Sequence, residues 1–239
     1  ANSVQVFGRG EHAYCLRENK TKLRNNITKM LSEGNVPCVI MAADLDPLPA
    51  VKKACLSADV PLLKTTMDSS AFMSEFSLFL DEKLSPVTHI HGVLVGVSGI
   101  GVLIRGGAGI GKSECALELI KRGHILVADD VVEVQARWGR FLVGSCPAML
   151  KHYMEVRGLG IIDVELLFGV GSTLDEMNIE LEVVLTPPQK TGLDRLGVEQ
   201  NTTTILGVDV PSMTLPVTPG RNLAVLIEVA ALNQRLKSQ

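Results

Sequence analysis

The sequence has no excess of positive charge and no long apolar run. Its formal net charge is -3, so we do not expect a broad cationic surface for nucleic acid. No apolar segment approaches the roughly 20 residues that a membrane-spanning helix needs, and the opening residues do not resemble a signal peptide. Internal repeats and low-complexity tracts are also absent. The sequence therefore predicts neither a nucleic-acid-binding protein nor a membrane protein.

The cysteines are odd in number, widely spaced and without a C-x-x-C pair. This pattern predicts reduced thiols in the core of a cytoplasmic protein, and not a disulfide framework or a metal site. The first residue is Ala1, with no methionine and no obvious fold-opening element, so we expect a fragment or a processed chain. The five cysteines are Cys15, Cys38, Cys55, Cys115 and Cys146.

A chain of 239 residues, 46% hydrophobic and 21% charged, is long enough for two globular domains. Ser85-Pro86 is the predicted boundary, and it separates residues 1–84 from residues 85–239. The first part alternates helical and strand patterns, which predicts a small parallel α/β module. Its helices are expected at 20–33, 48–58 and 69–84, its strands at 36–41 and 61–65, and Phe72, Phe76, Phe79 and Leu80 are expected to face its core.

The segment 106–113 matches the phosphate-binding pattern G-x-x-x-x-G-K-[ST]. A strand pattern at 102–104 precedes it, and a helical pattern from Ser113 to Lys121 follows. Glycines let the backbone amides approach an anion, Lys112 adds a positive charge, and the hydroxyl of Ser113 can bind magnesium. The predicted nucleotide-binding residues are Gly106, Gly107, Ala108, Gly109, Ile110, Gly111, Lys112 and Ser113.

Two adjacent carboxylates, Asp129 and Asp130, follow an apolar strand pattern at 125–128. A helix of about ten residues and a returning strand of about four would bring them back beside Lys112 and Ser113. One carboxylate can then hold magnesium, while the other accepts a proton from an attacking hydroxyl. A solvated acidic turn is the alternative.

Residues 154–164 combine charges, glycines and β-branched residues without a clear period, which is typical of a functional loop. Within this segment, Glu155 and Arg157 are candidates for contact with metal or phosphate. A structural salt bridge is an equally good interpretation of the same two residues.

Five further segments form a recognisable set: 91–95 (His-Gly-Val-Leu-Val), 109–114, 122–130, 155–164 and 219–225, in this order. Together they resemble HPr kinase/phosphorylase, the bacterial enzyme that modifies a serine of the phosphocarrier protein HPr. The N-terminal module is also similar, so the resemblance covers most of the chain. It implies ATP or pyrophosphate as phosphate donor, magnesium, inorganic phosphate in the reverse reaction, a role in carbon catabolite repression and a homohexamer.

The resemblance also implies catalytic roles. Asp129 would be the general base in serine phosphorylation and the acid in the reverse reaction, with His91 close by to tune it. Lys112 would hold the β-phosphate together with the loop amides. Arg195 and Arg221 match further family positions. We assign these two arginines to phosphate handling and subunit contacts.

The same resemblance implies that Ser113, Asp130 and Glu155 surround magnesium. It relates residues 155–164 to a family signature associated with dephosphorylation. The chain departs from the family at Gly107 and Ala108, where an acid or a small hydroxyl residue is common, and at Gly96, where Asp is common. We expect nucleotide binding to survive the loop changes, and Gly96 to alter the surroundings of His91.

The order of loop, helix, strand and acid by itself suggests a doubly wound parallel sheet. The short β segments after residue 130 instead favour a mixed, β-rich domain, and the resemblance implies the nucleotide-binding core shared with phosphoenolpyruvate carboxykinases. We therefore predict an α/β protein with a small N-terminal module and a β-rich phosphate-loop domain. The leading hypothesis is a serine kinase and phosphorylase acting on HPr; the alternatives are a non-catalytic nucleotide-gated regulator and a small-molecule kinase.

Overall fold

A computed structural model describes residues 3–188 and 201–237 of the chain. The chain divides into two units, Ala1–Lys83 and Leu84–Gln239. Among the described residues, no helix is both long enough and apolar enough to span a bilayer.

The first unit is a three-stranded parallel sheet with helices between the strands, and the strands lie side by side in the order in which they occur in the chain. This arrangement confirms the predicted parallel α/β module. The core forms because helices and the central strand contribute apolar residues at helical and strand spacing, such as Leu23, Ile27, Val39 and Val51. The elements are β1 (Gln5–Phe7), α1 (Arg9–Arg17), α2 (Lys20–Glu33), β2 (Val39–Met41), α3 (Pro49–Ala58), β3 (Leu62–Lys64) and α4 (Ser69–Leu84).

The structure corrects the prediction for this unit in two places. The chain opens with β1 and α1, which lack an apolar period in the sequence; Glu11 accepts a hydrogen bond from the Gly8 amide at 2.9 Å and so fixes the start of α1. The aromatic stripe of α4 does not enter a core, since no residue of α4 is buried. Phe72, Phe76 and Phe79 instead stack on one another along the helix, with ring centroids 5.2 and 6.4 Å apart.

Within the described residues of the second unit, nine strands form one mixed sheet. The strands are β4 (Val87–His91), β5 (Val93–Val97), β6 (Ile100–Gly106), β7 (Ile125–Ala128), β8 (Val131–Arg137), β9 (Phe141–Ser145), β12 (Glu176–Thr186), β13 (Asn201–Ile205) and β14 (Val208–Pro216). Their order in the sheet is β4-β8-β9-β12-β6-β5-β7, and β14 and then β13 continue from β12. A separate hairpin consists of β10 (Tyr153–Val156) and β11 (Gly160–Asp163), and the helices are α5 (Lys112–Lys121), α6 (Val164–Phe168) and α7 (Leu223–Lys237).

Antiparallel pairs dominate this sheet, which rules out a doubly wound parallel sheet and confirms the β-rich alternative. β5 lies between β6 and β7 and is antiparallel to both. A turn at Leu206-Gly207 joins β13 and β14 into a hairpin, so the break between the two strands lies within the segment 203–210 that its pattern predicts as one strand.

The long strand β12 changes partner along its length. Its first residues pair with β9 in an antiparallel ladder, and Glu182 to Thr186 pair in parallel with β14. On its other edge β12 pairs in parallel with β6 from Ile179 to Leu185. The strand that leads into the phosphate loop, β6, is therefore paired on both sides, and its residues Ile100 to Ile104 are buried.

Candidate active site

The phosphate loop connects the end of β6 to the start of α5. Gly106 has φ of 152°, and a Cβ there would lie 2.7 Å from the carbonyl oxygen of Leu185, so only glycine fits. Gly111 has φ of 103° and begins α5 in a left-handed conformation. Lys112 Nζ lies 3.3 Å from the carbonyl oxygens of both Gly106 and Gly107, which places the ammonium group over the loop. The backbone therefore forms the anion-binding turn that the motif predicts.

Asp129 follows β7 and lies against this loop. Its side chain accepts hydrogen bonds from Ser113 Oγ at Oδ1 and from the Glu155 amide at Oδ2, both at 3.0 Å. The residue is only 5% exposed. Burial raises the pKa of the Asp129 carboxyl, while the hydrogen bonds from Glu155 and Ser113 lower it and only partly offset this effect. Asp129 is therefore a buried acceptor with both oxygens engaged.

Asp130 points away from that buried position. Its φ is 65°, a left-handed conformation in which the chain turns sharply between β7 and β8. The side chain is 63% exposed, and its Oδ1 lies 3.1 Å from His91 Nδ1. His91 ends β4 and pairs with Val131, the first residue of β8, which explains their proximity. The structure thus brings His91 beside Asp130, whereas the resemblance implies a position beside Asp129.

The unusual segment 154–164 forms most of the β10–β11 hairpin, which covers one side of the loop. Met154 and Val156 point into the core, while Glu155 points outward. The Glu155 amide holds Asp129, as described above. Arg157 lies against the loop, since a Cβ on Gly109 would be 3.2 Å from Arg157 Nη2. The sequence lacks a clear period because a short hairpin interrupts the alternation, with Gly158 in its turn and Gly160 at the start of β11.

These residues line one cavity of about 660 Å³. Most of the predicted site residues are brought together in it, and Gly107 and Ile110 of the loop are the exceptions. Glu114, in the first turn of α5, also lines the cavity and was not predicted; an acid at a helix start is the signal that could have indicated it. The lining residues are His91, Gly106, Ala108, Gly109, Gly111, Lys112, Ser113, Glu114, Asp129, Asp130, Glu155, Val156, Arg157, Gly158 and Gly160.

Two further predicted residues lie elsewhere, and Arg195 falls outside the described residues. Arg221 lines a neighbouring cleft with Gly111 and Glu118. Gly96 lies in the middle of β5 and does not line the cavity; a Cβ there would meet Met177 Sδ at 2.8 Å. The expectation that Gly96 alters the surroundings of His91 is therefore wrong, because a side chain at position 96 would point at Met177.

The donors in the cavity suit a magnesium ion bound together with phosphates. Among the described residues, no group of three or more His, Cys, Asp or Glu side chains could hold a metal by itself. Magnesium in phosphate-transfer sites characteristically uses one or two carboxylates, and substrate phosphates and water complete its shell. The hydroxyl of Ser113 and the carboxylate of Asp129, 3.0 Å apart, provide such a partial set.

Comparisons with known proteins agree over nearly the whole chain. Family models described as HPr Serine kinase N terminus and HPr Serine kinase C-terminal domain match residues 1–80 and 82–239. The HPr kinase/phosphorylase of Lactobacillus johnsonii is 45% identical over 99% of this chain and 74% of its own length. That of Geobacter sulfurreducens is 46% identical over 98% of this chain and 73% of its own length.

A solved structure gives the same result for the fold. The Hpr(Ser) kinase/phosphatase from Coxiella burnetii has 40% sequence identity and a TM-score of 0.58. The match covers 63% of this chain and 98% of the Coxiella chain. With both family models matched and relatives this similar, the chain belongs to the HPr kinase/phosphorylase family.

Proposed function

We propose that this protein uses ATP to phosphorylate a serine of HPr and removes the phosphate again by phosphorolysis. The observation that carries the proposal is the convergence of three parts on one cavity. The glycine loop with Lys112 offers an anion site, Ser113 and Asp129 offer oxygen donors, and Asp130 with His91 offers an accessible proton acceptor. A nucleotide-binding regulator would need only the first of these parts.

Lys112 and the loop amides bind the phosphates of the nucleotide and keep the transferred phosphoryl group in line with the acceptor. Ser113 and Asp129 would hold magnesium, with Glu155 close by on the hairpin. When bound, magnesium supplies neutralisation of the negative charge on the phosphate oxygens. This set differs from the expected one because Asp129, and not Asp130, is hydrogen-bonded to Ser113.

Asp130 then takes the proton of the attacking serine hydroxyl. Three observations support this exchange of roles with Asp129: Asp130 is exposed to an incoming side chain, it lies beside His91, and both oxygens of Asp129 are already engaged. In the forward reaction the seryl oxygen bonds to the γ-phosphorus, the bond from that phosphorus to the bridging oxygen of ADP breaks, and Asp130 receives the seryl proton.

The reverse reaction uses the same groups in the opposite sense. An oxygen of inorganic phosphate attacks the phosphorus of phosphoserine, the bond to the seryl oxygen breaks, and that oxygen takes a proton from Asp130. Pyrophosphate and the free serine are the products. The positively charged Arg157, against the loop at Gly109, is placed to balance the charge of the phosphates in both directions.

One experiment separates this function from its two alternatives. The purified protein is incubated with magnesium and ATP labelled at the γ-phosphate, together with either HPr or a mixture of metabolites. Transfer of label to HPr, followed by release as pyrophosphate on addition of inorganic phosphate, is expected. Label in a metabolite would indicate a small-molecule kinase, and nucleotide binding without transfer would indicate a regulator. A homohexamer, a cytoplasmic location and a role for Arg195 stay predictions.

A further inference from the structure

The outer face of the β10–β11 hairpin carries exposed apolar side chains directly beside the polar cavity. The strand register places Glu155 opposite Ile161 and Tyr153 opposite Asp163, so these four side chains share the outer face. Ile161 is 73% exposed, Leu159 in the turn is 71% exposed, and Tyr153 is half-exposed. The opposite face of the hairpin, with Met154 and Val156, is buried in the core.

Packing within this chain does not account for the exposed side chains, since the core side of the hairpin is already filled. Phosphate chemistry does not account for them either, because a nucleotide phosphate is recognised by charges and amides. Large apolar side chains beside a functional cavity are instead typical of the central part of a protein–protein contact. Glu155 joins the two features, because its amide holds Asp129 and its side chain lies opposite Ile161.

We propose that the outer face of the hairpin, formed by Tyr153, Leu159 and Ile161, is the docking surface for the protein that carries the acceptor serine. This inference rests on the proposed function. A serine on a folded protein reaches the cavity only if the surrounding surface of that protein contacts the rim of the cavity. The hairpin forms one side of this rim, from Glu155 through Gly160. HPr is therefore the occupant that the position of this face requires.

The test compares phosphorylation of HPr by the wild-type protein and by the variants Ile161→Ser and Leu159→Ser. Val229→Ser is the matched control, because Val229 is also β-branched and is 60% exposed, on α7, which does not line the cavity. Each hairpin variant should raise KM for HPr about tenfold, because it removes one aliphatic side chain that is buried in the contact. kcat and the Kd for ATP, measured by calorimetry, should stay within about twofold of wild type, as a local rim contact implies.

Three results would overturn the docking surface. The first is an active wild-type enzyme whose KM for HPr is unchanged in both hairpin variants. The second is a loss of ATP affinity in both, which would show damage to the cavity. The third is a change of oligomeric state in light scattering, which would assign the face to contact between copies of this chain. A wild-type protein that transfers no phosphate to HPr contradicts the proposed function itself, and the docking surface with it.

Discussion

Ser113 Oγ donates a hydrogen bond to Asp129 Oδ1 over 3.0 Å, although the two residues are 16 positions apart in the chain. The bond joins the first turn of α5 to the end of β7. It also separates the two neighbouring aspartates chemically, since Asp129 is held inside while Asp130 stays accessible beside His91. The spacing of the residues does not assign the two roles, and the family resemblance assigns them in the opposite sense.

Replacing each aspartate in turn tests this separation. Asp130→Asn is expected to keep the Kd for magnesium-ATP and to lose about 100-fold or more in kcat, the range associated with a general base. Asp129→Asn is expected to weaken binding of magnesium-ATP, because it removes a charged oxygen beside Ser113. Calorimetry and HPr phosphorylation rates measure the two effects. Normal turnover in Asp130→Asn, with turnover lost and affinity kept in Asp129→Asn, would return the base to Asp129.

Lys112→Ala removes the ammonium group that lies over the loop carbonyls. We expect affinity for ATP to fall at least tenfold, as for loss of a charged hydrogen bond worth about 1.5–3 kcal/mol. Lys121→Ala, at the other end of α5, is the control and should bind ATP as the wild type does. Unchanged affinity of Lys112→Ala in calorimetry would contradict the assignment of the loop.

Two neighbouring glycines of the loop should respond differently to the same change. Gly106→Ala places a methyl group 2.7 Å from the Leu185 carbonyl oxygen at a φ that favours glycine, so we expect a stability loss of about 1–3 kcal/mol and weaker ATP binding. Gly107→Ala meets nothing within 4 Å and should bind ATP normally. Thermal denaturation and calorimetry measure both variants. Equal behaviour of the pair would show that the loop does not need its observed backbone conformation.

Gly96 is expected to matter for packing and not for catalysis. Gly96→Ala brings a methyl group against Met177 Sδ and should cost about 1–3 kcal/mol of unfolding free energy. Gly96→Asp should cost more, because it also buries a carboxylate. Gly171→Ala, with open space around it, serves as control in urea denaturation. A fully stable Gly96→Asp variant with an altered pH profile of kcat would restore a role near His91.

Burial of Asp129 predicts a pH dependence of stability without bound ligand. Because the pKa of Asp129 is raised in the folded state, its contribution to stability is fully present below the unfolded pKa of about 3.9. That contribution is lost as the pH rises through the raised value. The difference in unfolding free energy between wild type and Asp129→Asn should therefore decrease with rising pH in urea denaturation. A difference that increases over the same interval would indicate a pKa lowered in the folded protein.

Much of the site could be predicted because local rules decide it. The glycine spacing of 106–113 specifies the loop, and the short return from Lys112 to Asp129 brings the acids back. Other features depend on tertiary pairing and could not be predicted. The left-handed turn at Asp130 and the pairing of β8 with β4 determine which of the two carboxylates is buried. Likewise, the periodic stripe of α4 predicts a core, but no residue of α4 is buried.

The position of Gly92 has a mechanical consequence. Its amide donates to the carbonyl oxygen of Asp130 at 3.1 Å, at the level where β4 gives way to β5 and β7 gives way to β8. β4 and β8 pair with each other, as do β5 and β7, and this bond bridges the two pairs at that level. The same sheet also joins the two pairs through β9, β12 and β6, so a tilt between the pairs would break strand pairing. Asp130 and Asp129 are therefore held at a fixed separation, and the geometry of the reaction centre is set by the sheet itself.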